Sequence, residues 1–158
     1  MIANARSIKA SDDPNFVTVA GDIRDPATAR RLISEAVSRF GRVDTLVNNA
    51  GIFIAKPFTA YTAEDYAAVL NVNLNGFFYI TQFAITEMEK NKSGHVVNIT
   101  TSLLKHAIDG VLSVLASLTK GGFDAAIVAG DRIRKVGHPC ERRRARRHHV
   151  TDACSRNA

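Results

Sequence analysis

The chain has 158 residues, 46% of them hydrophobic and 23% charged, with a formal net charge of +6. That length and balance suit one soluble globular domain with a real core, and no apolar run approaches the roughly 20 residues of a membrane span. The charge is unevenly placed: residues 131–158 carry nine Lys and Arg against three acidic side chains, while the first 130 carry twelve of each. Two compositions share one chain, with the boundary near Ala126. The opening "MIANARSIK" lacks the apolar stretch of a signal peptide, so the expected compartment is the cytoplasm. Cys140 and Cys154 stand in no metal-ligand pattern, so neither a metal site nor a disulfide is expected.

In chain order, "NFVTVAGD" is a short β-branched run ended by Gly21 and Asp22. "DPATARRLISEAVSRFG" reads as a helix with Asp25 as N-cap, Pro26 in its first turn and Gly41 just past its end. Its apolar positions Ala29, Leu32, Ile33, Ala36, Val37 and Phe40 recur at three- and four-residue steps and form one face. "VDTLVNNAG" is an apolar strand that runs into a polar, glycine-ended turn. "TAEDYAAVLNVNLNGFFYITQFAITEMEK" predicts one long helix, with Thr62 as N-cap and Glu64 and Asp65 near its positive end. "GHVVNIT" is a further buried strand, and a helix follows through Ser113–Lys120.

Strands alternating with helices predict parallel pairing through right-handed crossovers. Continuous hydrophobicity in "TLVNN" and "HVVNIT" predicts strands covered on both faces. The expected class is α/β, a doubly wound parallel sheet, which binds ligands at the carboxyl ends of its strands. Those ends are Asp22, Asn48–Gly51 and Thr100–Ser102.

Four motifs in register, "NNAG", "NVNLNGFF", "VVNITTS" and the lysine of "KGG", resemble the short-chain dehydrogenase/reductase family over about Ile2 to Ala126. The resemblance implies a Rossmann-like fold, NAD or NADP as cofactor, and hydride transfer between the nicotinamide and an alcohol or ketone. By position, Asp22 would bond the adenine amino group with the Ile23 backbone beside it, and Asn49, Ala50 and Gly51 would line the cofactor groove. Asn73 would hold a kinked helix and a proton-relay water, and Lys120 would grip the nicotinamide ribose. Ser102 or Thr101 would bond the substrate oxygen, and Arg6 could meet the 2′-phosphate of NADP. The family also implies a homo-oligomer formed through the long helix and the lysine helix.

Three departures set this chain apart from the family. It contains no glycine-rich phosphate loop, and the resemblance begins at the family's second strand, which leaves the central strand of the expected sheet without a counterpart. Ala116 stands four residues before Lys120, where the family carries its tyrosine acid/base. A methyl group moves no proton, and general acid–base catalysis is worth roughly a hundred- to ten-thousand-fold, so this form is expected to be inactive. Otherwise a divergent chemistry operates, or the proton comes from His106 or from water.

The third departure is the basic tail, residues 127–158, which has no strand period. Read one nucleotide later, codons for Val128 to Arg146 permit Ser-Leu-Ala-Ile-Glu-Tyr-Ala-Lys-Ser-Gly-Ile-Arg-Val-Asn-Ala-Val-Ala-Pro-Gly, a string like the family's next helix end, strand and turn. The tail is therefore expected to be an out-of-frame, disordered segment beside a partial Rossmann domain at residues 1–126. Two further readings are a non-catalytic oligomerising scaffold and a nucleic-acid binder using "RKVGHPCERRRARRHH". The latter run would contact phosphates without specificity and lacks interleaved aromatics for base stacking, so nucleic acid is not the expected partner.

Overall fold

The computed structural model describes residues 1–104 and 110–129. Four short strands and four α-helices follow one another along the chain: β1 (Ile2–Ala5), β2 (Val17–Ala20), α1 (Pro26–Phe40), β3 (Thr45–Asn48), α2 (Ala63–Leu70), α3 (Gly76–Lys90), β4 (His95–Asn98) and α4 (Val114–Ala129). His106 and residues 130–158 lie outside the described residues, so the expectations for the proton source and for most of the tail fall there. The last residues of α4, to Ala129, run into the segment expected to be tail.

The strands pair in parallel, as predicted, but in two separate pairs, and only the β3–β4 pair has helices between its strands in sequence. β1 lies beside β2 with Ile2 opposite Val17, and β3 lies beside β4 with Leu46 opposite Val96. Neither β1 nor β3 has a partner on its other side among the described residues. This is the incomplete parallel sheet expected when the strand between them has no counterpart.

Local chemistry accounts for the helices. The Asp25 carboxylate accepts from the Ala27 N–H, Pro26 occupies the first turn, and Gly41 closes α1 at φ +77° with its N–H bonded to Val37 O. Only glycine adopts that left-handed geometry without strain. At the next helix Thr62 and Asp65 form a capping box, each side chain bonding the other's backbone N–H.

The predicted face of α1 is buried at Ala29, Leu32, Ile33 and Ala36, while Phe40 at its end is 40% exposed. These residues share one core with Val19, Val43, Ile80, Ala84 and Met88, and Leu46 and Val96 pack against it. Burying the Val, Leu, Ile and Met side chains among these stabilises the fold by roughly 1.5–3 kcal/mol each. Coverage on both strand faces is not what forms: Leu46 turns to the helices, whereas its neighbour Val47 is 56% exposed. A side chain in a strand alternates faces, and α1 and α3 occupy one of them.

The single long helix is also broken, by a π-helical turn over Asn71–Asn75. There the Gly76 N–H reaches back to Asn71 O, five residues away instead of four. Three asparagines, all poor helix formers because their amides compete for backbone bonds, fall in these five positions. π-turns inside helices recur at functional sites.

Candidate active site

The carboxyl ends of the four strands carry the polar residues, in two groups. At the ends of β1 and β2 stand Arg6 and Asp22. Arg24 clamps Asp22 through its Nε at 2.9 Å and a terminal nitrogen at 2.6 Å, and its backbone N–H reaches the other carboxylate oxygen at 3.0 Å. This clamp holds the Asp22 carboxyl below the ordinary aspartate range, with a smaller contribution from the charge of Arg6. β1 and β2 end side by side, with Ala5 opposite Ala20, so Arg6 and Asp22 follow adjacent strand ends. The Ile23 side chain points elsewhere, onto the start of α3: a Cβ on Gly76 would lie 2.9 Å from its Cγ2. Gly76 has no room for any larger residue unless Ile23 moves.

The second group gathers at the ends of β3 and β4. Asn48 is buried and donates to Thr81 Oγ1 at 3.0 Å and to Asn98 Oδ1 at 2.9 Å, tying β3 to α3 and to β4. Asn49 and Ala50 are exposed beyond it. The two asparagines of "NNAG" thus differ: the first is a structural tie and the second faces solvent. Gly51 is pressed against two other candidates, because a Cβ there would lie 3.2 Å from Lys120 Cε and Nζ and 3.3 Å from Asn73 Oδ1. The absent side chain is what lets the lysine and the loop backbone approach.

Asn73 is 1% exposed, and its amide is bonded at both ends. Its Oδ1 accepts from the Ile52 N–H at 2.9 Å, and its Nδ2 donates to Ile52 O at 3.2 Å and to Thr119 Oγ1 at 3.0 Å. Both amide protons are committed within the protein. Lys120 extends from α4 to donate to Ile99 O at 3.0 Å, at the end of β4. Asn73, Gly51 and Lys120 therefore meet, although 69 residues separate Gly51 from Lys120 in sequence.

The family profile described as short chain dehydrogenase matches residues 2–117. The chain belongs to the short-chain dehydrogenase family. It is 42% identical over 84 residues to a sepiapterin reductase of Chlorobaculum tepidum, an alignment spanning 53% of this chain and 34% of that protein. It is 38% identical over 110 residues to an L-rhamnose-1-dehydrogenase of Scheffersomyces stipitis, spanning 69% of this chain and 42% of that one. Its fold superposes with a TM-score of 0.67 on a gluconate 5-dehydrogenase of Burkholderia cenocepacia solved with NADP and tartrate, at 28% identity over 74% of this chain and 45% of the other. The chain spans less than half the length of each of these relatives.

Ala116 is 6% exposed on the packed face of α4, with Leu115, Thr119 and Phe123. Phe123 stacks on Phe77 of α3 with ring centroids 4.4 Å apart. The Thr101 hydroxyl accepts from the Leu103 N–H at 3.3 Å and caps the short 3-10 turn Ser102–Leu104, on which Ser102 is exposed. Thr119 is the participant that sequence reasoning passes over. It is wholly buried and adjacent to Lys120, and its only sequence signal is a hydroxyl on a face otherwise made of Leu115, Ala116 and Phe123. Among the described residues, no group of His, Cys, Asp or Glu could hold a metal ion. No helix there is long and apolar enough to cross a membrane.

Proposed function

We propose that this chain is part of an NAD(P)-dependent oxidoreductase acting on a small alcohol or ketone, and that the 158-residue chain by itself is inactive. The observation that carries the reading is the meeting of Gly51, Asn73 and Lys120 at the ends of β3 and β4. A bound nicotinamide cofactor would supply the hydride. The residues present fit its two ends: Lys120 would hold the nicotinamide ribose, the exposed stretch Asn49–Gly51 would line the groove, and Asp22 with Ile23 would meet the adenine. Arg6, exposed beside Asp22, suits a 2′-phosphate. Between these ends the sequence offers no glycine-rich turn for the pyrophosphate. Ser102 is the hydroxyl proposed to meet the substrate oxygen, since Thr101 is engaged in capping its own turn.

With Ala116 in the acid position, no side chain there delivers the proton that carbonyl reduction consumes. The test is a fluorescence titration with NADPH and NADH beside an assay with simple secondary alcohols. The expected result is weak nucleotide binding that Lys120→Ala abolishes, with no turnover. Binding that ignores Lys120 overturns the site, and turnover by the unaltered chain overturns the inactivity.

A further inference from the structure

We propose that Thr119 is a positioning residue for Lys120, acting through its hydroxyl and Asn73. The inference rests on Lys120 belonging to the proposed site, but it concerns what aims that lysine. A threonine hydroxyl within a helix commonly donates to the carbonyl four residues back, and Thr119 does so, to Leu115 O at 2.7 Å. Alone, that bond would be an ordinary way to satisfy a buried hydroxyl. What sets Thr119 apart is the other side of the oxygen, which accepts from Asn73 Nδ2 at 3.0 Å in a place where both residues are wholly enclosed.

The direction of these bonds matters. The hydroxyl proton is spent on Leu115 O, so Thr119 Oγ1 faces Asn73 as an acceptor only. Asn73 must then present its NH2 group to Thr119 and its oxygen to the Ile52 N–H, because an amide has donors at one end and an acceptor at the other. The hydroxyl therefore reinforces the orientation that the Ile52 N–H and carbonyl also require of the amide, and ties that amide to α4. The amide in turn fixes the backbone at Ile52, next to Gly51, against which the Lys120 ammonium rests. Thr119 also precedes Lys120 directly, so the same bond sets the rotation of α4 at that residue. One buried oxygen locates Lys120 from both sides, through the helix that carries it and the loop it touches.

The experiment is competitive trace acetylation of the full chain, read by mass spectrometry as the ratio of Lys120 labelling to that of the exposed Lys9 and Lys92. Ratios within one molecule are insensitive to a general loss of stability. Thr119→Val keeps the shape and removes the hydroxyl, and it should raise the Lys120 ratio severalfold. Thr119→Ser keeps the hydroxyl and should leave the ratio as in the parent. An unchanged ratio in folded Thr119→Val overturns the proposal, as does a serine variant that behaves like valine. Should the valine variant lack its helical circular dichroism, Thr119→Cys, which weakens the acceptor at similar volume, replaces it with the same two outcomes. A parallel arm adds NADP to the parent chain. Failure of NADP to protect Lys120 while the valine ratio is raised removes the cofactor reading and leaves the positioning role standing.

Discussion

Asn73 is a residue whose helix propensity argues against its place and whose bonds account for it. Its amide satisfies both polar groups of Ile52 and the hydroxyl of Thr119 inside a closed environment. Asn73→Leu would leave the Ile52 N–H and the Ile52 carbonyl without partners, at about 1–3 kcal/mol for each group left unpaired, while the Thr119 hydroxyl keeps its bond to Leu115 O. The expected outcome is a large fall in the urea midpoint, well beyond that of an exposed control such as Asn91→Leu, measured by equilibrium unfolding. Sequence alone marks Asn73 as anomalous, since asparagine competes with the helix that contains it. It does not mark Thr119, because a threonine beside a helical lysine departs from no local rule. The bond between them joins positions 46 residues apart and belongs to the tertiary fold.

Elements in this chain are legible where their ends are chemical. Asp25, Pro26, Gly41 and Thr62 announce the starts and stops of their helices, and the helices begin and end there. The π-turn is not announced in this way: a run of asparagines says that a helix is poor, not that it gains a residue. Helix α2 offers a test with a pH dependence. The Thr62 hydroxyl lowers the Glu64 pKa below its ordinary 4.5, and Lys56 first, then the Thr62 N–H, lowers that of Asp65 below 3.8. A depressed carboxyl contributes stability that is complete above its ordinary pKa and lost as pH falls through the depressed one. Stability should therefore decline below about pH 4.5, through and beyond the ordinary aspartate value. Thr62→Ala should cost about 0.5–2 kcal/mol at neutral pH and flatten that decline, as read from urea midpoints across the acid range. The junction of α3 and β4 gives a steric counterpart. A Cβ on Gly94 would overlap the side chain of Met88, which is wholly buried and has nowhere to swing. Gly94→Ala should cost about 1–3 kcal/mol, and adding Met88→Ala should show strong non-additivity in a double-mutant cycle.

At the scale of the molecule, hydrophobic pattern identifies β2, β3 and β4, while β1 is reached only through the family resemblance, and neither says how the strands are partitioned. Alternation and apolar runs report which faces are buried, whereas pairing depends on which neighbour is present to receive each ladder. The His95 N–H bonds Asp44 O and the Ile99 N–H bonds Asn48 O, so Thr45 and Val47 turn their backbone groups toward the unpaired edge. The bonds from Val17 to Met1 and from Gly21 to Ala5 likewise leave Ile2 and Asn4 facing outward on β1. Such edges recruit further chains. Light scattering should show association that rises with concentration, and Val47→Lys, which places a charge on the exposed face of that edge, should reduce it. A monodisperse monomer at high concentration in the parent chain would refute this.

The division of the strands also bears on cooperativity. Among the described residues no ladder bond joins the β1–β2 pair to the β3–β4 pair, and what couples them is the shared apolar core between α1 and α3. Directional bonds shear only by breaking, whereas apolar contacts are non-directional and tolerate sliding. The two halves are therefore expected to open as separate units that slide on their shared core. Native-state amide exchange should resolve two protection plateaus, one for Ala3, Val19 and their neighbours and one for Leu46, Val97 and theirs. A substitution that thins that core, Ala84→Gly, should pull the plateaus further apart, whereas a single all-or-none opening would bring every one of these amides to the same value.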